Sequence, residues 1–194
     1  MPNNIRAEVV ERFTRIAHAP QQEEKFPVGP ASAKTLGYDA DVIDQLPPSV
    51  TESFTGVGNP LALRKLMTGE AVLDVGCGAG LDSILAARAV GPSGKVIGVD
   101  MIKAMVDKAK TNAKMAGVAN VEFIQASIED LPLDHGSMDT VISNGVLNLC
   151  PDKAKVLGEI FRVLRTGGHL QMADILLEDG VSPEEVARKG AWSD

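Results

Sequence analysis

The hydrophobic positions of this chain change period as it proceeds. Ile5, Val9, Phe13 and Ile16 recur at three- and four-residue spacing, with Arg6, Glu8, Glu11 and Arg12 between them, which predicts an amphipathic helix over residues 5–17. It reads as a surface helix that flanks or lids the main body. Pro20, Pro27, Pro30, Pro47 and Pro48 interrupt residues 18–58, where only 41–46 reads as a short helix. Asn59-Pro60 then offers an N-cap and a first-turn proline, and Leu61, Leu63, Leu66 and Met67 predict a helix to about residue 67.

Beyond residue 70 short apolar runs alternate with helical patterns. Strands are predicted over 71–75, 96–99 (closed by Asp100), 121–124, 139–144 and 169–176. Helices are predicted from Asp82 with Ile84, Leu85, Ala87 and Ala89, from about residue 103 to Ala116, and from Pro151-Asp152 with Val156, Leu157, Ile160, Phe161 and Leu164. Thr166-Gly167-Gly168 reads as the turn into the fifth strand, and Ser182-Pro183-Glu184-Glu185 as a further helix start. This alternation, without hairpin signals, predicts an α/β, Rossmann-like, doubly wound and mostly parallel sheet flanked by helices. Ligands of such sheets bind at the carboxyl ends of the strands. There the sequence places Gly76–Gly80, Asp100, Ala126–Glu129 and Asn144.

Gly76, Gly78 and Gly80 between a strand and a helix let backbone N–H groups approach a ligand. A turn made for packing alone is the plain alternative. Asp100, twenty residues past the turn, can accept two hydrogen bonds from a ribose diol. The nicotinamide dinucleotide fingerprint requires a third glycine where Leu81 stands, which disfavours an oxidoreductase. Asp74 lies two residues before the first glycine. Glycines, Asp74 and Asp100 together resemble the first motifs of class I S-adenosylmethionine-dependent methyltransferases, whose loop hugs an amino-acid moiety and whose ligand is cationic. The resemblance implies S-adenosylmethionine as cofactor and a cofactor site of Asp74, Gly76, Cys77, Gly78, Gly80, Asp100, Met101, Ser127, Ile128 and Asn144. In it Asp100 takes the ribose hydroxyls, Met101 packs on adenine, Ser127 and Ile128 hold the adenine ring and its amino group, and Asn144 stands beside the transferable methyl.

Gly58-Asn59-Pro60, the run from Ile142 to Leu149 with Pro151-Asp152-Lys153, and Arg162-Val163-Leu164 with Gly167-Gly168 narrow the resemblance to arsenite methyltransferases. That family holds trivalent arsenic on cysteine thiolates. Here Val57 and Gly145 stand at two of those positions, and Cys77 and Cys150 do not make a three-thiolate site. Two function classes follow: an enzyme moving a methyl group to a small-molecule acceptor, arsenite methyltransferase-like, or a non-catalytic S-adenosylmethionine-binding subunit or fragment. The class I fold carries two strands beyond the fifth, so an exposed fifth strand predicts either a truncated chain or a partner on that edge, a second copy making a homodimer. Displacement at a sulfonium needs alignment rather than a base. His18, His135 and His169 read as structural or solvated, and no general base is assigned.

At 194 residues the chain suits one core. Residues 1–58 read as an N-terminal helix and substrate-access segment, and 59–194 as the cofactor-binding core. With only 4% aromatics, Phe26, Tyr38 and Phe54 stand out, either lining a pocket or anchoring the irregular segment. The net charge of −7, without a basic run, excludes nucleic acid and anionic membranes as natural partners. Two cysteines without metal-ligand spacing, and no apolar run of about 18 residues, predict a cytoplasmic protein without a structural metal.

Overall fold

A computed structural model describes residues 2–176, with side chains from Arg6 onward. The helix start at residues 182–185 lies outside them. An N-terminal helix, α1 (Pro2–His18), leads to a 3₁₀ turn (Pro20–Gln22) and three short helices, α2 (Pro30–Thr35), α3 (Ala40–Gln45) and α4 (Pro48–Thr51). The α/β unit follows: β1 (Ala71–Val75), α5 (Leu81–Val90), β2 (Lys95–Asp100), α6 (Lys103–Met115), β3 (Val121–Gln125), β4 (Met138–Asn144), α7 (Lys153–Val163) and β5 (Leu164–Ala173). The strands lie in the order β3-β2-β1-β4-β5, every pair parallel. The order reverses between β1 and β4, so the crevice opens beside Val75 and Asn144.

The period of two sorts the core. Leu73, Val75, Ile97, Val99 and Val141 face α7, where Val156, Ile160 and Val163 meet them. Val72, Val96 and Ile142 face the other way, onto Ala86, Ala87 and Val90 of α5. The central strands, buried on both faces, read as short, mostly apolar runs, with Asp74, Thr140 and Ser143 as buried polar exceptions. Among the described residues no helix is long and apolar enough to cross a membrane.

Three expectations are corrected. The helix predicted over 59–67 is only a 3₁₀ turn, Pro60–Ala62, capped by the Asn59 side chain on Leu61 N–H. Gln171 in the sheet donates its side-chain amide to the carbonyls of Pro60 (2.7 Å) and Arg64 (3.2 Å), taking oxygens a helix would have used. The 18–58 segment holds three short helices rather than one. Two of them open on a proline, Pro30 and Pro48. The fifth strand begins at Leu164 and ends at Ala173, because Thr166-Gly167-Gly168 is absorbed as a bulge: Met138 faces Leu164, but Thr140 faces His169. Among the described residues β5 pairs only with β4.

Tyr38 and Phe54 are buried edge to face, ring centroids 5.3 Å apart, in the cluster that contains Cys77, Leu81 and Phe123. Phe26 packs on Phe13 with the Arg12 guanidinium 4.4 Å over its ring. The three aromatics anchor the N-terminal segment; none lines the cleft described below.

Candidate active site

The chain leaves β1 through Gly76, Gly78 and Gly80, all at positive φ (72°, 50° and 92°). Val146 fills the space above Gly76, and Ala109 and Phe123 close over Gly80. Only Gly78 faces open space. The loop spends its amides on the protein. Gly76 N–H and Cys77 N–H donate to the Val99 carbonyl (2.8 and 3.0 Å), Gly80 N–H to the Cys77 carbonyl (2.9 Å) and Gly78 N–H to Asp100 Oδ2 (2.9 Å). A loop that cradles phosphates keeps such donors for the ligand. Four engaged amides differ from the sequence expectation and make this loop unsuited to a pyrophosphate.

A cleft of about 810 Å³, counted to its open mouth, lies at the carboxyl ends of β1, β2 and β4. Met101, Ile102, Met105 and Ile128 form one apolar wall, and Val146, Leu149 and Pro151 another. Val9 and Phe13 of α1 face it, with Thr55 beside the crevice. Gly76, Gly78, Asp100, Met101, Ser127, Ile128 and Asn144 of the expected site line this cleft. Asp74, Cys77 and Gly80 lie beneath it instead. Asp74 accepts from the Ser83 hydroxyl, and the Cys77 thiol turns to its neighbour's carbonyl at 3.8 Å. Periodicity put Val9 and Phe13 on the apolar face of a flanking helix but did not assign them, Arg6, Thr55, Val146 or Leu149 to the site; tertiary packing brings all six to the cleft.

Asp100 Oδ2 accepts from Gly78 N–H and Oδ1 from Ile102 N–H (2.8 Å), with the Met101 amide also close. Burial pushes the Asp100 carboxyl up, against those amides. Asp74 and Asp82 are shifted the same way, chiefly by burial. None of the three acids has an ion pair among the described residues. Acids at and beneath the cleft floor with no cation beside them suit a positive ligand, which would favour their ionised form. Arg6 of α1 reaches across the mouth to Ser127 Oγ (3.3 Å) and lies 4.0 Å from Glu129.

The open space over Gly78, the Asp100 oxygens, the apolar walls and the unneutralised acids fit a cationic nucleoside such as S-adenosylmethionine. Asp100 and Ser127 would hold its polar groups, Met101 and Ile128 its base. Thiol chemistry is poorly served. Cys150 lines the cleft, but its Sγ donates to the Val146 carbonyl (3.2 Å), and burial with nearby Glu129 pushes the thiol up to about 11. Burial pushes Cys77 well up too. No group of three or more His, Cys, Asp or Glu among the described residues can hold a metal ion.

A parallel sheet with its crevice at the β1–β4 reversal and an acid at the end of β2 defines a class I, Rossmann-like S-adenosylmethionine-dependent methyltransferase fold. Residues 66–191 match the model of the methyltransferase domain family, and the chain belongs to it. An arsenite methyltransferase of Halobacterium salinarum is 43% identical over 146 residues, covering 75% of this chain and 37% of the relative. A demethylmenaquinone methyltransferase of Lactococcus lactis is 42% identical over 104 residues, 54% of this chain and 41% of the relative. Among solved structures, an arsenic(III) S-adenosylmethionine methyltransferase from Chlamydomonas reinhardtii superposes with a TM-score of 0.59 at 38% identity, covering 77% of this chain and 50% of that one. The chain spans less than half the length of these curated relatives.

Proposed function

We propose that this chain binds S-adenosylmethionine in the cleft and transfers its methyl group to a small-molecule acceptor of the arsenite methyltransferase kind. The observation that carries this reading is Asp100, tied to the glycine loop through Gly78 and facing a cleft with apolar walls and no basic floor. The cofactor supplies an electrophilic methyl on a sulfonium. Asp100 takes the ribose hydroxyls, and Met101 and Ile128 enclose the adenine, with Ser127 at its edge. Phe13, Thr55 and the Gly145–Pro151 loop exclude water from the acceptor end. Among the described residues that end presents no histidine, and Glu129 is turned to Arg6, which suits an acceptor that reacts through a lone pair needing no deprotonation. Residues 1–58 serve as the access segment through Arg6, Val9, Phe13 and Thr55.

Isothermal titration with S-adenosylhomocysteine tests the cofactor half. Hydrogen bonds to a charged partner contribute about 1.5–3 kcal/mol, so Asp100→Ala should weaken binding by roughly ten- to a hundredfold. No binding by the folded wild-type chain refutes the reading. Labelled-methyl transfer to arsenite with added thiol tests the acceptor. Buried, protonated thiols and the short span relative to the arsenite enzymes favour a second reading, a cofactor-binding chain without arsenite turnover. Tight cofactor binding with no transfer would select it.

A further inference from the structure

Asn144 ends β4 at the cleft, yet its amide is spent on the protein. Its Oδ1 accepts from the N–H groups of Val57 (2.8 Å) and Gly58 (3.2 Å). Its two N–H hydrogens face three acceptors: the Gly58 carbonyl (2.9 Å), Asp82 Oδ2 (3.1 Å) and the Tyr38 hydroxyl (3.1 Å). The Tyr38 hydroxyl in turn donates to Asp82 Oδ1 (2.5 Å). The 55–58 segment lies flat on this group as a strap. A β-carbon on Gly56 would strike the Asn144 amide and the Phe54 ring, and one on Gly58 would come within 2.7 Å of the Ala173 side chain. Two glycines are required by that approach. Thr55 precedes them and lines the cleft, and its hydroxyl has no hydrogen-bond partner among the described residues.

We propose that Tyr38, Asp82 and Asn144 form a buried clasp that fixes the 55–58 strap over the cofactor loop, so that Asn144 serves the cleft as a positioning residue that aims Thr55 at the bound ligand. Asp82 belongs to the first turn of α5, Asn144 to β4 and Tyr38 to the N-terminal segment. The clasp therefore joins the three parts of the chain that meet at the crevice. An amide with no donor left over acts through what it holds rather than by touching the ligand. The proposal rests on the cofactor reading for the ligand used in its test.

Two measurements test it, on Tyr38→Phe, which keeps the buried ring, and on Asn144→Ser. The first is amide hydrogen exchange at Val57 and Gly58, whose N–H groups report the clasp directly. Both variants should speed it by about tenfold or more; rates within about twofold of wild type in both would overturn the clasp. The second is a double-mutant cycle read by titration with S-adenosylhomocysteine. A single neutral hydrogen bond contributes about 1 kcal/mol, so Thr55→Val should weaken binding roughly fivefold in the wild-type chain, but less than about twofold in Asn144→Ser. A loss of fold stability alone would not create that coupling, and equal losses in both backgrounds would overturn the positioning role. A wild-type chain that takes up no ligand overturns the cofactor reading instead, and the exchange rates then decide the clasp by themselves.

Discussion

Val57 lies over Gly145, its Cγ1 3.2 Å from where a β-carbon on residue 145 would stand. These are two positions where the arsenite methyltransferase resemblance places thiols, and the fold brings them within one side chain of each other. This chain fills the place with an isopropyl group and bare backbone. The double variant Val57→Cys/Gly145→Cys should therefore gain a dithiol. Linking two ligands on one frame raises avidity by about 10²-fold or more, so it should bind phenylarsine oxide at least a hundredfold tighter than either single variant. Gly145 sits at φ 69°, so its replacement costs about 1–2 kcal/mol, visible as a lower melting temperature. A double variant no tighter than the singles would show that the two positions do not converge.

Gly76 and Gly78 separate packing from ligand space. Both have positive φ, but a methyl on Gly76 meets Val146, whereas one on Gly78 meets nothing within 4 Å. Gly76→Ala should lose about 2–4 kcal/mol of stability, the strain plus the overlap. Gly78→Ala should lose only about 1 kcal/mol, yet weaken S-adenosylhomocysteine about tenfold or more, because its methyl enters the open cleft. Urea unfolding of both beside the titration checks the pair, and equal stability losses would contradict the packing described.

The central strands and the edge that carries the cleft were legible because burial on both faces writes itself as short, mostly apolar runs, and because Asp100 and Asn144 stand where such runs end. The helix expected after Asn59 did not form although its cap and proline were read correctly. Its carbonyls went to Gln171, more than a hundred residues away, which no local pattern encodes. The same holds for the cleft. Asp100 could be read from its spacing to the glycines, whereas Thr55, Val146 and Phe13 reach the site only by tertiary packing. Asn144 was placed at the correct edge, but the partners of its amide, Val57, Gly58, Tyr38 and Asp82, lie 62 to 106 residues distant in sequence.

Arg12 and Glu23 tie the N-terminal helix to the loop that follows. Two hydrogen bonds, 3.1 and 2.9 Å, join nearly buried side chains, and the guanidinium also stacks on Phe26. The Arg12 hydrogen bond holds the Glu23 carboxyl below its usual range. Glu23→Gln removes the carboxylate charge that both of these Arg12 hydrogen bonds reach, and about 1.5–3 kcal/mol of stability should be lost at neutral pH. With a depressed native pKa, that contribution is present above the unfolded value near 4.5 and fades as pH falls through the native one. The gap between wild type and variant should therefore narrow in acid. Denaturant unfolding at pH 7 and pH 3 reads it, and a gap that stays constant would refute the charge-based account.

Asp74 works in the opposite direction. The groups that face it are Ser83, Asp82, Asp100, Cys77 and Tyr38, none of them cationic, and burial with the Asp82 charge raises its carboxyl to about 8. A native pKa above the unfolded value near 4 means that the stabilising contribution is complete below about pH 4 and is lost as pH rises towards 8. The chain without ligand should thus lose stability across that window, by at most about 1.4 kcal/mol per pH unit for one proton. Asp74→Asn keeps an oxygen for the Ser83 hydroxyl and removes the titration, so its slope should be shallower, with Asp82 and Asp100 supplying what remains. Adding the cationic S-adenosylmethionine should flatten the wild-type slope more than the uncharged-sulfur S-adenosylhomocysteine does, because a positive ligand favours the ionised acids. Thermal melts from pH 5 to 8.5, with each ligand and without, make the comparison. Parallel slopes for wild type and Asp74→Asn would mean that Asp74 does not titrate across that window and that burial does not raise its carboxyl.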